Sequence, residues 1–139
     1  MPGKITLTMI KPLAVKKGYI GDILSIIIKS GFKIRAMKYL KLSIDQAKAF
    51  YKIHEDKPFY NNLVEFMSSG PIVAATLEKE NAIEEYRKLI GATNPEKSEI
   101  NTIRNLFGTS LEKNAVHGSD SDENAEIESD FFFSKLERY

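Results

Sequence analysis

Apolar positions recur along this chain with two different periods, and the changes from one to the other mark out its elements. "KITLTMI" (4–10) is short, β-branched and partly alternating, which predicts a strand that Pro12 ends. In "VKKGYIGDILSIIIKSGF" the period changes: Tyr19, Ile20, Ile23, Leu24, Ile27 and Ile28 fall on one helical face, and Gly31 closes it. "KIRAMKYLKL" (33–42) returns to a strand, with Ile34, Ala36, Leu40 and Leu42 facing inward. Ser43 is then placed to cap "IDQAKAFYKIH", with Gln46 three residues on completing a capping box. "KPFYNNLVEFMSSG" reads as a second short helix entered through Pro58, and "PIVAATLE" (71–78) as a buried strand after Gly70-Pro71. "NAIEEYRKLIG" is a helix with a supporting Glu84–Lys88 pair and Gly91 at its end.

From 91 to 113 the periodicity fades, and an irregular stretch of that length inside a compact domain is usually functional. "NAVHGSDSDENAEIE" (114–128) then opens a short acidic helix, and "SDFFFSKL" (129–136) supplies a last strand. Reduced to its core the order is β-α-β-β-α-β. That is a ferredoxin-like α+β fold: one antiparallel sheet with helices on one side, in a single domain spanning 1–139.

Composition narrows the function classes. The chain is 42% hydrophobic and 28% charged, the balance of an ordinary globular protein. With no cysteine it has neither a disulfide framework nor a thiolate metal site, which suits a reducing compartment. "KITLTMIKP" is not a signal peptide, and stretches such as "III" and "PIVAA" are too short to cross a bilayer, so the expected location is the cytoplasm. A net charge of +1 argues against a dedicated nucleic-acid binder. The charge is unevenly spread: residues 1–41 carry nine Lys or Arg against Asp22 alone, while residues 118–130 carry six acids and no base. Two solvated, mutually attracting faces explain this most simply; a basic region that meets a phosphorylated ligand is the sharper reading.

One of only two histidines, His117, stands in the acidic stretch. A lone histidine is more often packed or exposed than catalytic. Its surroundings shift that balance. Gly118 permits close backbone approach to a ligand, and Ser119-Asp120-Ser121 can cap the following helix, putting the imidazole beside a positive helix end that attracts phosphate. Glu128 lies far enough along that helix to fold back and orient the ring. A metal site finds no support, because one histidine among scattered carboxylates has no ligand spacing.

The candidate cations are individually weak. Lys11 ends the first strand, where sites commonly open; Arg87 sits among Glu84, Glu85 and Lys88 on what reads as a solvated face; Arg104, between Ile103 and Leu106 and with Thr93 nearby, is suited to clamp a phosphate. Tyr51 and Phe59 flank "KIHEDKP". Core packing explains Phe50, whereas Phe59 after Pro58 in a polar turn is a candidate platform for a base. His54 packs or caps.

Together "TMIKPLAV", "FYKIHEDKPFY", "SGPIVAATLE", "GATNP", "NTIR" and above all "NAVHGSDSDENAEIE" resemble the nucleoside diphosphate kinase family over practically the whole chain, in its order and spacing. The resemblance implies a ferredoxin-like core and a two-step exchange. His117 would take the γ-phosphate of a nucleoside triphosphate such as ATP on Nδ1 and hand it to a diphosphate bound in the same pocket, with ping-pong kinetics. By the same resemblance Arg87, Thr93 and Arg104 hold the phosphates, with Mg²⁺ bridging phosphate oxygens and no metal ligand from the protein. Lys11 and Asn114 bind the sugar hydroxyls, Lys11 also nearing the transferring phosphate. Tyr51 stands beside the histidine, Phe59 and Leu111 sandwich the base, and Glu128 orients the histidine. Stacking without edge-reading groups implies broad base tolerance. Family members assemble as tetramers or hexamers, so a homo-oligomer is expected.

Leu13, Leu106 and Asp122 depart from the family pattern, and none of the three coincides with a carried-over contact; "FGTSLEK" departs from it too. Two other readings compete. One is an RNA-binding ferredoxin-like module, but the glycine-aromatic signature of that module is missing. The other is an inactive scaffold, against which Lys11, Arg87, Arg104, Asn114 and His117 all argue.

Overall fold

A computed structural model describes residues 3–111 and 113–139. Four strands, β1 (Ile5–Ile10), β2 (Lys33–Leu40), β3 (Ile72–Glu78) and β4 (Val116–Gly118), form one sheet in the order β2-β3-β1-β4. Every neighbouring pair is antiparallel. The helices are α1 (Pro12–Lys16), α2 (Ile20–Lys29), α3 (Ile44–Phe50), α4 (Tyr60–Met67), α5 (Ala82–Ile90), α6 (Ile103–Phe107) and α7 (Asp122–Phe132). This is the ferredoxin-like α+β arrangement that the sequence pattern predicts.

The local signals explain where elements begin and end. Ser43 caps α3 and closes a full capping box with Gln46, each accepting from the other's backbone N–H. Glu84 pairs with Lys88 on α5, and Gly91 ends that helix at φ +88°. A Cβ on Gly91 would stand 2.5 Å from Thr102 Oγ1, so the turn needs glycine on both counts.

Two expectations require correction. Helices cover both faces of the sheet, not one. Residues of β1 and β3 are buried at nearly every position, so each face needs a cover. Ile10, Val73, Ala75 and Leu77 pack with Ile23, Ile27, Tyr86 and Ile90 of α2 and α5. On the other face Leu7, Met9, Ile72 and Ala74 pack with Ala47, Val64, Met67 and Phe132 of α3, α4 and α7. The fourth strand, moreover, is not 129–136. It is Val116–Gly118, paired with β1 in the register Met9↔His117. Ser121 caps α7 by accepting from Asn124 N–H, and Ala125, Ser129 and Phe132 then face inward at helical spacing. That burial outweighs the β propensity of the three phenylalanines. The irregular 91–113 stretch also holds a 3₁₀ turn at Pro95–Lys97 besides α6.

Candidate active site

The chain around His117 is fixed from three sides. Its backbone lies on β4, where Thr8 Oγ1 donates to the His117 carbonyl at 2.8 Å. That hydroxyl has one proton to give, so the Tyr86 hydroxyl bonded to it is the donor of that pair. Burial raises the Tyr86 phenol well above its ordinary pKa, which keeps the proton in place. Before the strand, Val116 N–H donates to Asn114 O across Ala115, which sits at φ +77° in a tight γ-turn. Alanine holds that left-handed conformation because Lys11 N–H binds its carbonyl at 2.8 Å.

The imidazole is fixed through one nitrogen only. Nε2 lies 2.9 Å from Glu128 Oε1, and the same oxygen accepts from Ser119 Oγ at 2.7 Å. Leu7 N–H donates in turn to Ser119 Oγ at 3.0 Å, tying the pair to β1. A carboxylate oxygen only accepts, so Nε2 is the donor of this pair, and in the neutral ring that leaves the lone pair on Nδ1. Nδ1 makes no hydrogen bond among the described residues.

Two further expectations change here. Glu128 is the seventh residue of α7, about 9 Å along the axis from Asp122 at 1.5 Å per residue, so the ring is held from the middle of the helix and not from its end. Asp122 in the first turn accepts from Gly3 N–H instead. Gly118 serves packing and not ligand approach: a Cβ there would stand 3.1 Å from both Tyr86 and Ile90.

A cavity of about 300 Å³ opens beside the ring. It is lined by Lys11, Tyr51, Phe59, Thr93, Arg104, Leu111, Asn114, His117 and Glu128, so the fold brings together nine residues singled out from the sequence. Lys11 Nζ donates to Asn114 Oδ1 at 2.7 Å. The Asn114 amide donates to the carbonyls of Thr93 at 2.9 Å and Leu111 at 3.0 Å, so one buried side chain joins both ends of the 91–113 loop to β1. Arg104 is clamped on two carbonyls, Gly91 at 3.1 Å and Val116 at 3.0 Å, while its buried Nε has no hydrogen-bond partner among the described residues. Burial, with the charge of Arg87 adding to it, pushes its guanidinium down to about 10, still charged at neutral pH. Arg87 itself is exposed on α5 and outside the lining, close enough to act on Arg104 only through its field.

Tyr51 is buried, its hydroxyl has no hydrogen-bond partner among the described residues, and burial together with the nearby charge of Glu128 raises its pKa far above the usual phenol range. It is therefore a fixed proton donor. Phe59 and Leu111 are exposed at 42% and 57%. Sequence reasoning passed over Phe50, Ile53 and Leu63 as lining residues. His54 packs, as expected, with its ring 5.7 Å from that of Phe59, and it lines the cavity too. The adjacent Phe50-Tyr51 pair at the end of a capped helix was the available signal, because successive residues there point to different surroundings.

A buried cationic pocket with one imidazole nitrogen free is suited to accept an electrophilic phosphoryl group. Comparison with known proteins agrees. The sequence profile of nucleoside diphosphate kinase matches residues 4–138. The chain belongs to the nucleoside diphosphate kinase family. It is similar to the nucleoside diphosphate kinase of Flavobacterium psychrophilum, 54% identical over 134 residues that cover 96% of each protein. Among solved structures it superposes on the Aquifex aeolicus nucleoside diphosphate kinase with a TM-score of 0.96 at 47% identity, covering 98% of this chain and 99% of that one. The Halobacterium salinarum nucleoside diphosphate kinase in complex with CDP matches with a TM-score of 0.93 at 36% identity, over 98% of this chain and 91% of the other.

Proposed function

We propose that this chain is a nucleoside diphosphate kinase that moves the γ-phosphate of a nucleoside triphosphate such as ATP onto nucleoside diphosphates by a ping-pong mechanism, with His117 as the carrier. The observation that carries the reading is the His117 imidazole held by Glu128 through Nε2 and lining a cavity together with Lys11, Arg104 and Asn114. In the first half-reaction Nδ1 attacks the γ-phosphorus and the bond to the β–γ bridging oxygen breaks, releasing the diphosphate. Positive charge that develops on the ring is met by Glu128 through the Nε2 proton. A second diphosphate reverses the step from the same position.

Arg104, Thr93 and, from outside the lining, Arg87 are assigned to the phosphates. Lys11 serves the sugar and the transferring group, Asn114 the sugar hydroxyls, and the Tyr51 hydroxyl the phosphoryl group next to the histidine. Phosphoryl transfer leaves little covalent work for the protein, so fixed positive charge and alignment supply most of the acceleration. Phe59 and Leu111 sandwich the base, and an apolar clamp of that kind supports broad base tolerance. The Halobacterium salinarum relative with its CDP is consistent with a pocket that accepts a pyrimidine.

Mg²⁺ fits this site as a companion of the nucleotide. Glu128, the one carboxylate lining the cavity among the described residues, is already engaged by His117 and Ser119, so the metal would be held by phosphate oxygens. There it would supply charge neutralisation. The two cores share one sheet and the family profile spans 4–138, which supports a single domain over 1–139. The outer edge of β2, with Met37 and Tyr39 exposed at 50% and 66%, is a surface for self-association into a tetramer or hexamer. Among the described residues no helix is long and apolar enough to cross a membrane, and a cysteine-free chain suits the cytoplasm.

Incubation with ATP labelled in the γ position tests the reading. The protein is expected to retain an acid-labile, base-stable phosphate, and His117→Ala to retain none. A His117→Ala variant that takes up the same label would remove the mechanism.

A further inference from the structure

The wall of the site beside the histidine is aromatic. Phe50, the last residue of α3, places its ring 5.6 Å from the imidazole of His117, nearly perpendicular at 79°. It is itself packed among three other rings: Tyr51 at 4.9 Å, Phe131 at 5.3 Å and Phe132 at 5.5 Å. Phe50 lines the cavity, is half-buried, and offers the ring no polar atom. Its neighbours Phe131 and Phe132 end α7, the helix that carries Glu128, so one cluster joins the α3 end to the helix that orients the imidazole.

A histidine that carries phosphate between two nucleotides has a chemical problem that the acceptor nucleotide does not solve. Between the departure of one diphosphate and the arrival of the next, water can take the acceptor's place. Water oxygen then bonds to phosphorus, and the Nδ1–P bond breaks with its electron pair returning to the ring. Neutral imidazole and dihydrogen phosphate result, both water hydrogens remaining on the phosphate. Each such event wastes one nucleoside triphosphate. The polar side of the site cannot prevent it, since Lys11, Arg104 and Tyr51 would stabilise that transition state as well as the productive one. What separates the two reactions is whether water gains a position in line with the Nδ1–P bond while the base and sugar are absent.

We propose that Phe50 keeps water away from phosphorylated His117. The proposal rests on the phosphohistidine reading given above. The ring occupies the apolar flank of the imidazole, where a water molecule would find no hydrogen-bonding partner on Phe50, Phe131 or Phe132.

The test separates hydrolysis from transfer. Wild type, Phe50→Ala, Phe50→Gln and Phe50→Leu are phosphorylated with γ-labelled ATP and freed of nucleotide by desalting. Release of inorganic phosphate is timed first without nucleotide. Transfer to an added nucleoside diphosphate is timed separately. Phe50→Ala and Phe50→Gln are expected to release phosphate about tenfold faster or more while transfer changes by less than about threefold, and Phe50→Leu, which restores an apolar filling, to return towards wild type. Gln fills much of the space of the ring, so it serves should the alanine variant fold poorly. Label on His117 with an unaltered hydrolysis rate in the Ala or Gln variant overturns the role of Phe50 alone. Parallel changes in hydrolysis and transfer overturn it too, since they mark general loosening. If wild type carries no label on His117, the phosphohistidine reading fails, and this proposal with it.

Discussion

The two ends of the cavity are built on opposite principles. At the His117 end Lys11, Asn114 and Arg104 are buried, at 7%, 2% and 9% exposure, and each is tied to a backbone carbonyl or to another member of the site. At the other end Phe59, Leu111 and Ile53 are exposed at 42%, 57% and 66%, and their side chains contribute only apolar surface. The cross-bonded end holds its polar groups in fixed positions, as phosphoryl transfer requires because its barrier falls chiefly through alignment and preorganised charge. On the proposed reading the open end gives contact area without direction, and so would discriminate weakly between bases. One pocket would thereby combine an exacting reaction with a permissive choice of substrate.

The contrast predicts a ranking of substitutions. Arg104→Lys keeps a positive charge but loses the planar fork that reaches both Gly91 and Val116 carbonyls. Its kcat/KM for phosphoryl exchange should fall about a hundredfold, with a lower melting temperature because two buried carbonyls lose their donor. An Arg104→Lys enzyme with wild-type kinetics would place the phosphates elsewhere. Glu128→Gln preserves shape and removes the charge that faces the imidazole, so kcat should drop between about tenfold and a hundredfold with KM little changed. A rise in KM alone would assign Glu128 to substrate binding and not to the ring.

Phe59→Ala reports on the loose end. KM for diphosphates should rise by about tenfold, corresponding to about 1.4 kcal/mol of lost stacking, with kcat nearly constant. Purine and pyrimidine diphosphates should differ in kcat/KM by less than about a hundredfold in wild type, and by less still in the variant. Steady-state kinetics over a panel of diphosphates decides both points. A larger preference that survives the loss of Phe59 would reveal an edge-reading group, for which His54 beside that ring is the available candidate.

How much of this was legible in the sequence depended on the range over which each signal acts. The capped start of α3 and the Gly91 stop of α5 were read correctly because a cap is decided by residues three or four apart. The end of the chain was misread because three consecutive phenylalanines carry β propensity, whereas the burial of Phe132 and Phe133 with residues of α3 and α4 is a tertiary fact. His117 was recognised from its motif, yet its position on a three-residue strand was not, since Val116–Gly118 is too short to show a period and is specified by pairing with β1. Gly118 was misassigned for the same reason: Tyr86 and Ile90, which need its missing Cβ, lie far away in sequence. Arg87 shows the opposite limit. The residues around it suggested a solvated face, and the structure leaves it exposed at the edge of the site, where only the family resemblance gives it a phosphate to hold.

The central claim is that Glu128 selects which nitrogen of His117 reacts, and phosphorus NMR of the desalted phosphoprotein tests it most directly. Wild type charged with ATP should give one resonance, that of phosphate on Nδ1, which disappears when a nucleoside diphosphate is added. Phosphate on Nε2, or an Nδ1 signal that persists in the presence of acceptor, would contradict it.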